Sequence, residues 1–159
     1  MALTVYAAGD VPQVGQKAPA VSLPSQDGNT VSLKDFHGKW VVLYFYPKDN
    51  TPGCTIEAHN FQRDLAKYAE KNAVIVGVSV DSTDSHKDFC AKQSLTFKLL
   101  SDTGKKVVAE YGSLRDNGMA QRNTFLIDPR GTIVKVWTGV KPADHSEEVL
   151  AALSEAQKH

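Results

Sequence analysis

Cysteine is scarce in this chain, with only Cys54 and Cys90 in 159 residues. Two are too few for the disulfide framework of a small secreted scaffold. Net charge is missing too, because 18 Lys and Arg cancel 18 Asp and Glu. Without a basic field to gather polyanions, neither nucleic acid nor an anionic membrane is an expected partner. No apolar run approaches the ~20 residues that a bilayer span needs. The opening "MALTVYAAGDVPQVG" has no Lys or Arg ahead of its brief apolar part, so it does not read as a secretory signal. A cytoplasmic location, where thiols are kept reduced, is the expectation. Repeats, low-complexity tracts and charge blocks are also lacking. A single domain over residues 1–159 is expected, with residues 1–14 as a loosely held arm.

What is present is an alternation of strand and helix signals. Residues 20–35, "AVSLPSQDGNTVSLKD", place two short apolar segments around a turn and predict a small hairpin. "WVVLYFY" (40–46) and "AVIVGVSV" (73–80) are continuous apolar runs, as strands buried on both faces show. Between them, 54–71 carries Ile56, Phe61, Leu65 and Tyr68 near helical spacing. A helix over 84–93, starting at Asp84 or a neighbour, precedes a short strand in "FKLLSD" and a brief helix closed by Gly112. "NTFLID", "PRG" and "TIVKVWTG" predict a hairpin, and "SEEVLAALSEAQ" a closing amphipathic helix. The first two strands need a crossover and should be parallel; the last two should be antiparallel. This α/β order resembles the thioredoxin fold: a mixed central sheet flanked by helices, with an N-terminal hairpin extension.

Chemistry in open α/β sheets gathers beyond the carboxyl ends of central strands. "YPKDNTPGCT" (46–55) lies there, between the first long strand and its helix. A thiolate is the nucleophilic form of cysteine, and a helix N-terminus favours an anion. Pro52 is preset for a first helical turn, Gly53 lets a substrate approach the backbone, and Thr51 adds a hydroxyl. The loop suits an anionic sulfur and a small polar substrate. Equally, a free cysteine after a turn is often inert and buried. Both readings stand on local context alone.

The spacing Pro47, Thr51 and Cys54, P-x-x-x-T-x-x-C, resembles the active-site motif of the peroxiredoxins. "FYPKDNTPGCTIEA", "GVSVDS", "LLSD" and "RNTFLID" follow in the order of the peroxiredoxin Q (bacterioferritin comigratory protein) branch, from about residue 14 onward. The resemblance implies a thiol peroxidase without metal or other cofactor. Cys54 would be the peroxidatic cysteine that attacks a hydroperoxide, with Thr51 bonding the peroxide and Pro47 shielding the pocket. Gly53 and Cys54 would offer backbone N–H groups. Arg122 would hold the sulfur and the leaving oxygen, and Glu57 would orient Arg122; alternatives are a strand-edge charge and a carboxylate favouring the helix dipole. A thioredoxin or glutaredoxin-type dithiol would restore the enzyme, acting on a monomer.

Many members of that branch carry a second cysteine five residues after the first, where this chain has His59. Cys90 resembles the resolving cysteine of another subgroup, on the helix after the second parallel strand. An unreactive thiol beside Phe89 is the alternative. His59 lies ~140° around the helix from Cys54, so a Cys–His hydrolase pair is not expected. His86 and Cys90 share a face but are too few for a metal site. A disulfide oxidoreductase would need a C-x-x-C pair, absent from "PGCT"; a redox sensor would react once rather than cycle. The loop "YGSLRDNGMAQRNTFLID", with Met119 in it, departs from the resemblance in being shorter than the segment common in the branch.

Overall fold

The computed structural model describes residues 10–158. The long apolar runs become the centre of a five-stranded sheet because their side chains alternate onto two covered faces. β3 (Trp40–Phe45) and β4 (Ala73–Ser79) pair in parallel, and β5 (Lys98–Ser101) continues the parallel set. β6 (Thr124–Ile127) runs antiparallel on the other side of β3, with β7 (Ile133–Trp137) antiparallel beyond it. The order is β5-β4-β3-β6-β7. The small hairpin β1 (Ser22–Pro24) and β2 (Thr30–Ser32) forms its own sheet. Gln26 ties it to β5, its amide donating to Phe97 O and accepting from Leu99 N–H.

Among the described residues, five α-helices cover the sheet: α1 (Pro52–Arg63), α2 (Leu65–Glu70), α3 (Thr83–Gln93), α4 (Lys106–Glu110) and α5 (His145–Gln157). The expected single helix over 54–71 begins earlier and divides at Asp64. There the buried Asp64 carboxylate accepts from Arg63 and from Ser146 of α5, and its residue serves as C-cap of α1 and N-cap of α2. Ser82 caps α3, accepting from Ser85 N–H. Of the expected arm, residues 1–9 lie outside the described residues. Pro12 is buried and Val11 packs on the core, whereas Asp10, Gln13 and Val14 are exposed.

On one face of the sheet Val42, Tyr44 and Tyr46 pack with Cys54, Phe61, Phe89 and Cys90. On the other, Val41, Leu43 and Phe45 pack with Val107, Tyr111 and Phe125. Gly77 sits in register between Tyr44 and Leu99. A Cβ there would stand 2.7 Å from Leu99 Cδ2 and 2.9 Å from the Tyr44 ring. Overpacking of this kind costs about 1–3 kcal/mol. Gly77→Ala is therefore expected to lower the urea midpoint by that amount of stability; an unchanged midpoint would contradict the packing described.

Candidate active site

β3 ends at Phe45 and delivers the chain into a loop on the carboxyl side of the sheet. Asn50 adopts a left-handed conformation (φ 63°), which its short polar side chain tolerates, and Thr51 turns the backbone into α1. Pro52 occupies the first helical turn, where its missing N–H is no loss. The first backbone bond of the helix runs from Thr55 N–H to Thr51 O, so the N–H groups of Gly53 and Cys54 lie ahead of the ladder. Thr51 Oγ1 donates to Lys48 O at 2.8 Å, which commits its hydrogen and leaves the oxygen as an acceptor. Pro47 is half-buried just after Tyr46. Cys54 is 2% exposed.

Arg122 reaches this site through strand register. Tyr44 pairs with Thr124, and Phe45 N–H donates to Asn123 O, so the residue before Asn123 falls beyond the end of β3. Its Nη2 donates to Cys54 Sγ at 3.4 Å and its Nη1 to Glu57 Oε1 at 2.9 Å. Gly53 leaves room for the guanidinium, because a Cβ there would lie 3.1 Å from Arg122 Nη2. Cys54, Gly53, Glu57 and Arg122, named from the sequence, thus form one constellation. Glu57 Oε2 is buried without a hydrogen-bond partner. Burial raises the Glu57 carboxyl from its ordinary 4.5 to about 7, against the opposing pull of Arg122. Arg122 is held above its usual value by Glu57 and Cys54, although burial opposes this.

Cys90 lies in the last turns of α3 and is a free thiol like Cys54. Burial, reinforced by Asp49, raises it to about 11. His59 is exposed on α1, away from buried Cys54. Met119 belongs to a turn, its N–H donated to Asn117 Oδ1 and its carbonyl accepting from Arg115.

Two features escape sequence reasoning. The Tyr44 hydroxyl is buried without a partner and raised by burial first, then by Glu57 and Cys54. "YFY" reads as apolar, and only the strand's alternation hints that its first and last tyrosines share the site's face. The second is a cluster of Asp49, Asp81 and His86, whose ligand-type atoms lie within 4.8 Å of one another. Here His86 Nε2 donates to Leu100 O at 2.9 Å and Nδ1 meets Asp49 Oδ2 at 2.6 Å, so both ring nitrogens are already engaged.

A thiol under a guanidinium, on a helix N-terminus beyond a thioredoxin-like sheet, defines a class of thiol-based redox enzymes. Residues 14–136 match the AhpC/TSA family, and the chain belongs to it. Its branch is that of the Bcp and peroxiredoxin Q proteins. Peroxiredoxin Bcp of Bacillus subtilis is 44% identical over 151 residues, spanning 90% of this chain and 96% of that protein. Peroxiredoxin Q of Populus jackii, a chloroplastic protein, is 41% identical over 142 residues, covering 87% of this chain and 67% of its own. Among solved structures, Xylella fastidiosa PrxQ superposes with a TM-score of 0.88 at 36% identity, covering 94% of this chain and 99% of that one. Xanthomonas campestris bacterioferritin comigratory protein, studied for alkyl peroxide reduction, gives 0.82 at 38%, covering 86% and 91%. The protein is a thiol peroxidase that reduces peroxides. Among the described residues, no helix is long and apolar enough to cross a membrane.

The raised Glu57 carboxyl has a pH signature. Between about 4.5 and about 7 the unfolded chain holds less of this proton than the native one, so stability falls as pH rises through that window. A shift of this size corresponds to at most about 3 kcal/mol. In urea unfolding the wild type should lose stability relative to Glu57→Gln from pH 4.5 to 7.5 and level above. A constant difference would mean that Glu57 is ionised throughout.

Proposed function

We propose that Cys54 is the peroxidatic cysteine of a two-cysteine cycle, Cys90 the resolving one, and a thioredoxin or glutaredoxin-type dithiol the reductant. The observation that carries the first assignment is the hydrogen bond from Arg122 Nη2 to Cys54 Sγ at the N-terminus of α1. The Cys54 thiolate attacks the distal oxygen of a hydroperoxide, the O–O bond breaks, and the sulfur becomes a sulfenic acid. The electron pair leaves on the proximal oxygen, which takes up a proton and departs as water or an alcohol. Arg122 is donor both to the sulfur and to the oxygen on which charge develops. Its fork is held in plane by Glu57, so one arm remains directed at the sulfur. Gly53 and Cys54 N–H groups offer further donors to the attacked oxygens. The Thr51 hydroxyl, whose hydrogen is committed to Lys48 O, accepts from the peroxide O–H. Pro47 walls the pocket against water.

Cys90 then attacks the Cys54 sulfenic acid. The S–O bond breaks, an S–S bond forms and water leaves, and the dithiol reduces the disulfide. Support for Cys90 is that it shares one buried cluster with Cys54. Every group invoked belongs to one chain, as action by a monomer requires, and two free thiols suit a reducing compartment such as the cytoplasm. Both hydrogen peroxide and organic hydroperoxides are within its scope; alkyl peroxide reduction by the Xanthomonas relative supports the latter.

Peroxide-dependent oxidation of thioredoxin should be lost in Cys54→Ser. In Arg122→Lys, which keeps charge but not the fork, the reaction of Cys54 with peroxide should slow about 10²-fold, the scale of losing one donor to a developing oxyanion. Mass mapping after one equivalent of peroxide should find the Cys54–Cys90 link. Wild-type activity in Cys54→Ser would remove the proposal; a stable sulfenic acid in the wild type would replace Cys90 by an external thiol.

A further inference from the structure

Disulfide closure must join cysteines held in two different helices. Cys54 sits in the first turn of α1, 2% exposed, and Cys90 in the last turns of α3, 8% exposed. Both are free thiols, and their sulfurs must come within about 2.05 Å to bond. The Cys90 end of α3 is suited to opening. Its carbonyl accepts from Leu95 N–H and from Ser94, a non-glycine residue held in the left-handed region at φ 54°.

The other end of α3 is fastened to the loop that leads into Cys54. Asp49 Oδ2 meets His86 Nδ1 at 2.6 Å and accepts from Ser85 Oγ at 2.8 Å, while Asp49 Oδ1 accepts from Tyr46 OH at 2.6 Å. The second His86 nitrogen is bonded to Leu100 O of β5 at 2.9 Å. The Asp49 backbone adds a bond from its N–H to Asp81 Oδ2 at 2.9 Å. Both side chains of the central pair are at most 1% exposed. This pair stands five residues before Cys54 and four before Cys90, on the same side of each cysteine in the chain.

We propose that the buried Asp49–His86 pair is a tether that holds the two cysteine segments at a common root while each unwinds, making Asp49 and His86 positioning residues for disulfide closure. The inference rests on the two-cysteine cycle proposed above. Cys54 and Cys90 are separated by 20 positions through the sheet bond from Tyr46 N–H to Val78 O, but by nine through the tether. Closure probability falls roughly as the 3/2 power of the loop length, so the shorter path favours the encounter about threefold. The chemical step is unchanged: Cys54–SOH and Cys90–SH give the disulfide and one water. The thiol that burial holds protonated in the helix is released to ionise once that turn opens.

The experiment follows peroxidation and closure separately. Reduced protein is mixed with one equivalent of hydrogen peroxide, quenched with a thiol alkylator, and its sulfenic and disulfide forms are counted by intact mass. Asp49→Ala, His86→Leu and the double variant are compared with wild type. The double variant replaces both members of the hydrogen-bonded pair by apolar groups, which folded proteins often tolerate when removal of one alone is costly. Closure should slow by about twofold to about threefold. The upper figure applies if the tether opens wholly and the Tyr46–Val78 sheet bond is the nearest remaining link. The lower applies if the Asp49 N–H bond to Asp81, nine residues from Cys90, takes its place. Formation of the sulfenic acid should keep its wild-type rate, and the sulfinic fraction at excess peroxide should rise with the delay. Ser146→Ala, which removes a buried bond to Asp64 between α5 and α1, controls for general loss of stability. Wild-type closure in the double variant, equal slowing in Ser146→Ala, or equal slowing of both chemical steps overturns the tether. A wild type that stops at the sulfenic acid overturns the resolving role and the tether with it; normal wild-type closure beside equally fast variants overturns the tether alone.

Discussion

A guanidinium with a buried carboxylate on one side and a sulfur on the other is the contact on which the site depends. Arg122 is 16% exposed and Glu57 1%, so neither charge is freely hydrated. An ion pair in such a place is a poor source of stability, since desolvating two charges offsets their attraction. Its value is directional. The fork of Arg122 has one arm fixed by Glu57, which leaves the other aimed at Cys54 before any substrate arrives. Such preorganisation is what electrostatic catalysis requires, because no side chain then has to reorient as charge develops.

The sheet exists, from this viewpoint, to make that contact possible. Cys54 and Arg122 are 68 positions apart and meet because β6 runs antiparallel to β3, with Tyr44 opposite Thr124. Shifting the register by one residue would turn Arg122 toward the other face, where Phe45, Tyr111 and Phe125 fill the core. Gly53 meets a related demand, because a side chain there would crowd the guanidinium. Glycine therefore serves the protein's own arginine as well as an approaching substrate.

Much of this was legible in the chain, and the rest was hidden for physical reasons. Period and turn chemistry are local, so "WVVLYFY", the hairpin around "PRG" and the closing helix could be read directly. The break between α1 and α2 could not, since Asp64 is drawn into a bond with Ser146, far along the chain. Arg122 reads locally as an ordinary edge charge, and only its resemblance to a family pattern points it at Cys54. Asp49 and His86 had no such help. An aspartate in a polar loop and a histidine on a short helix carry no sign that they will be buried together; that fact resides in the parallel pairing of β3 with β4, which brings the two segments to the same end of the sheet.

Two buried pairs therefore flank one loop, and they solve opposite problems. Glu57–Arg122 must not move, because the sulfur's environment is its product. On the proposed cycle, Asp49–His86 lies where movement has to be confined, since α1 and α3 hold their cysteines in separate helical turns. A core packed to the density of the cluster around Tyr44, Phe61 and Phe89 resists partial opening unless some boundary divides what yields from what stays. Apolar contacts make a soft boundary, since they slide with little directional preference. A carboxylate meeting an imidazole whose other nitrogen is bonded to a strand carbonyl makes a sharp one, fixed in angle as well as distance. Rigid pairs beside yielding turns thus reconcile a closely packed resting site with the proposed joining of its two sulfurs.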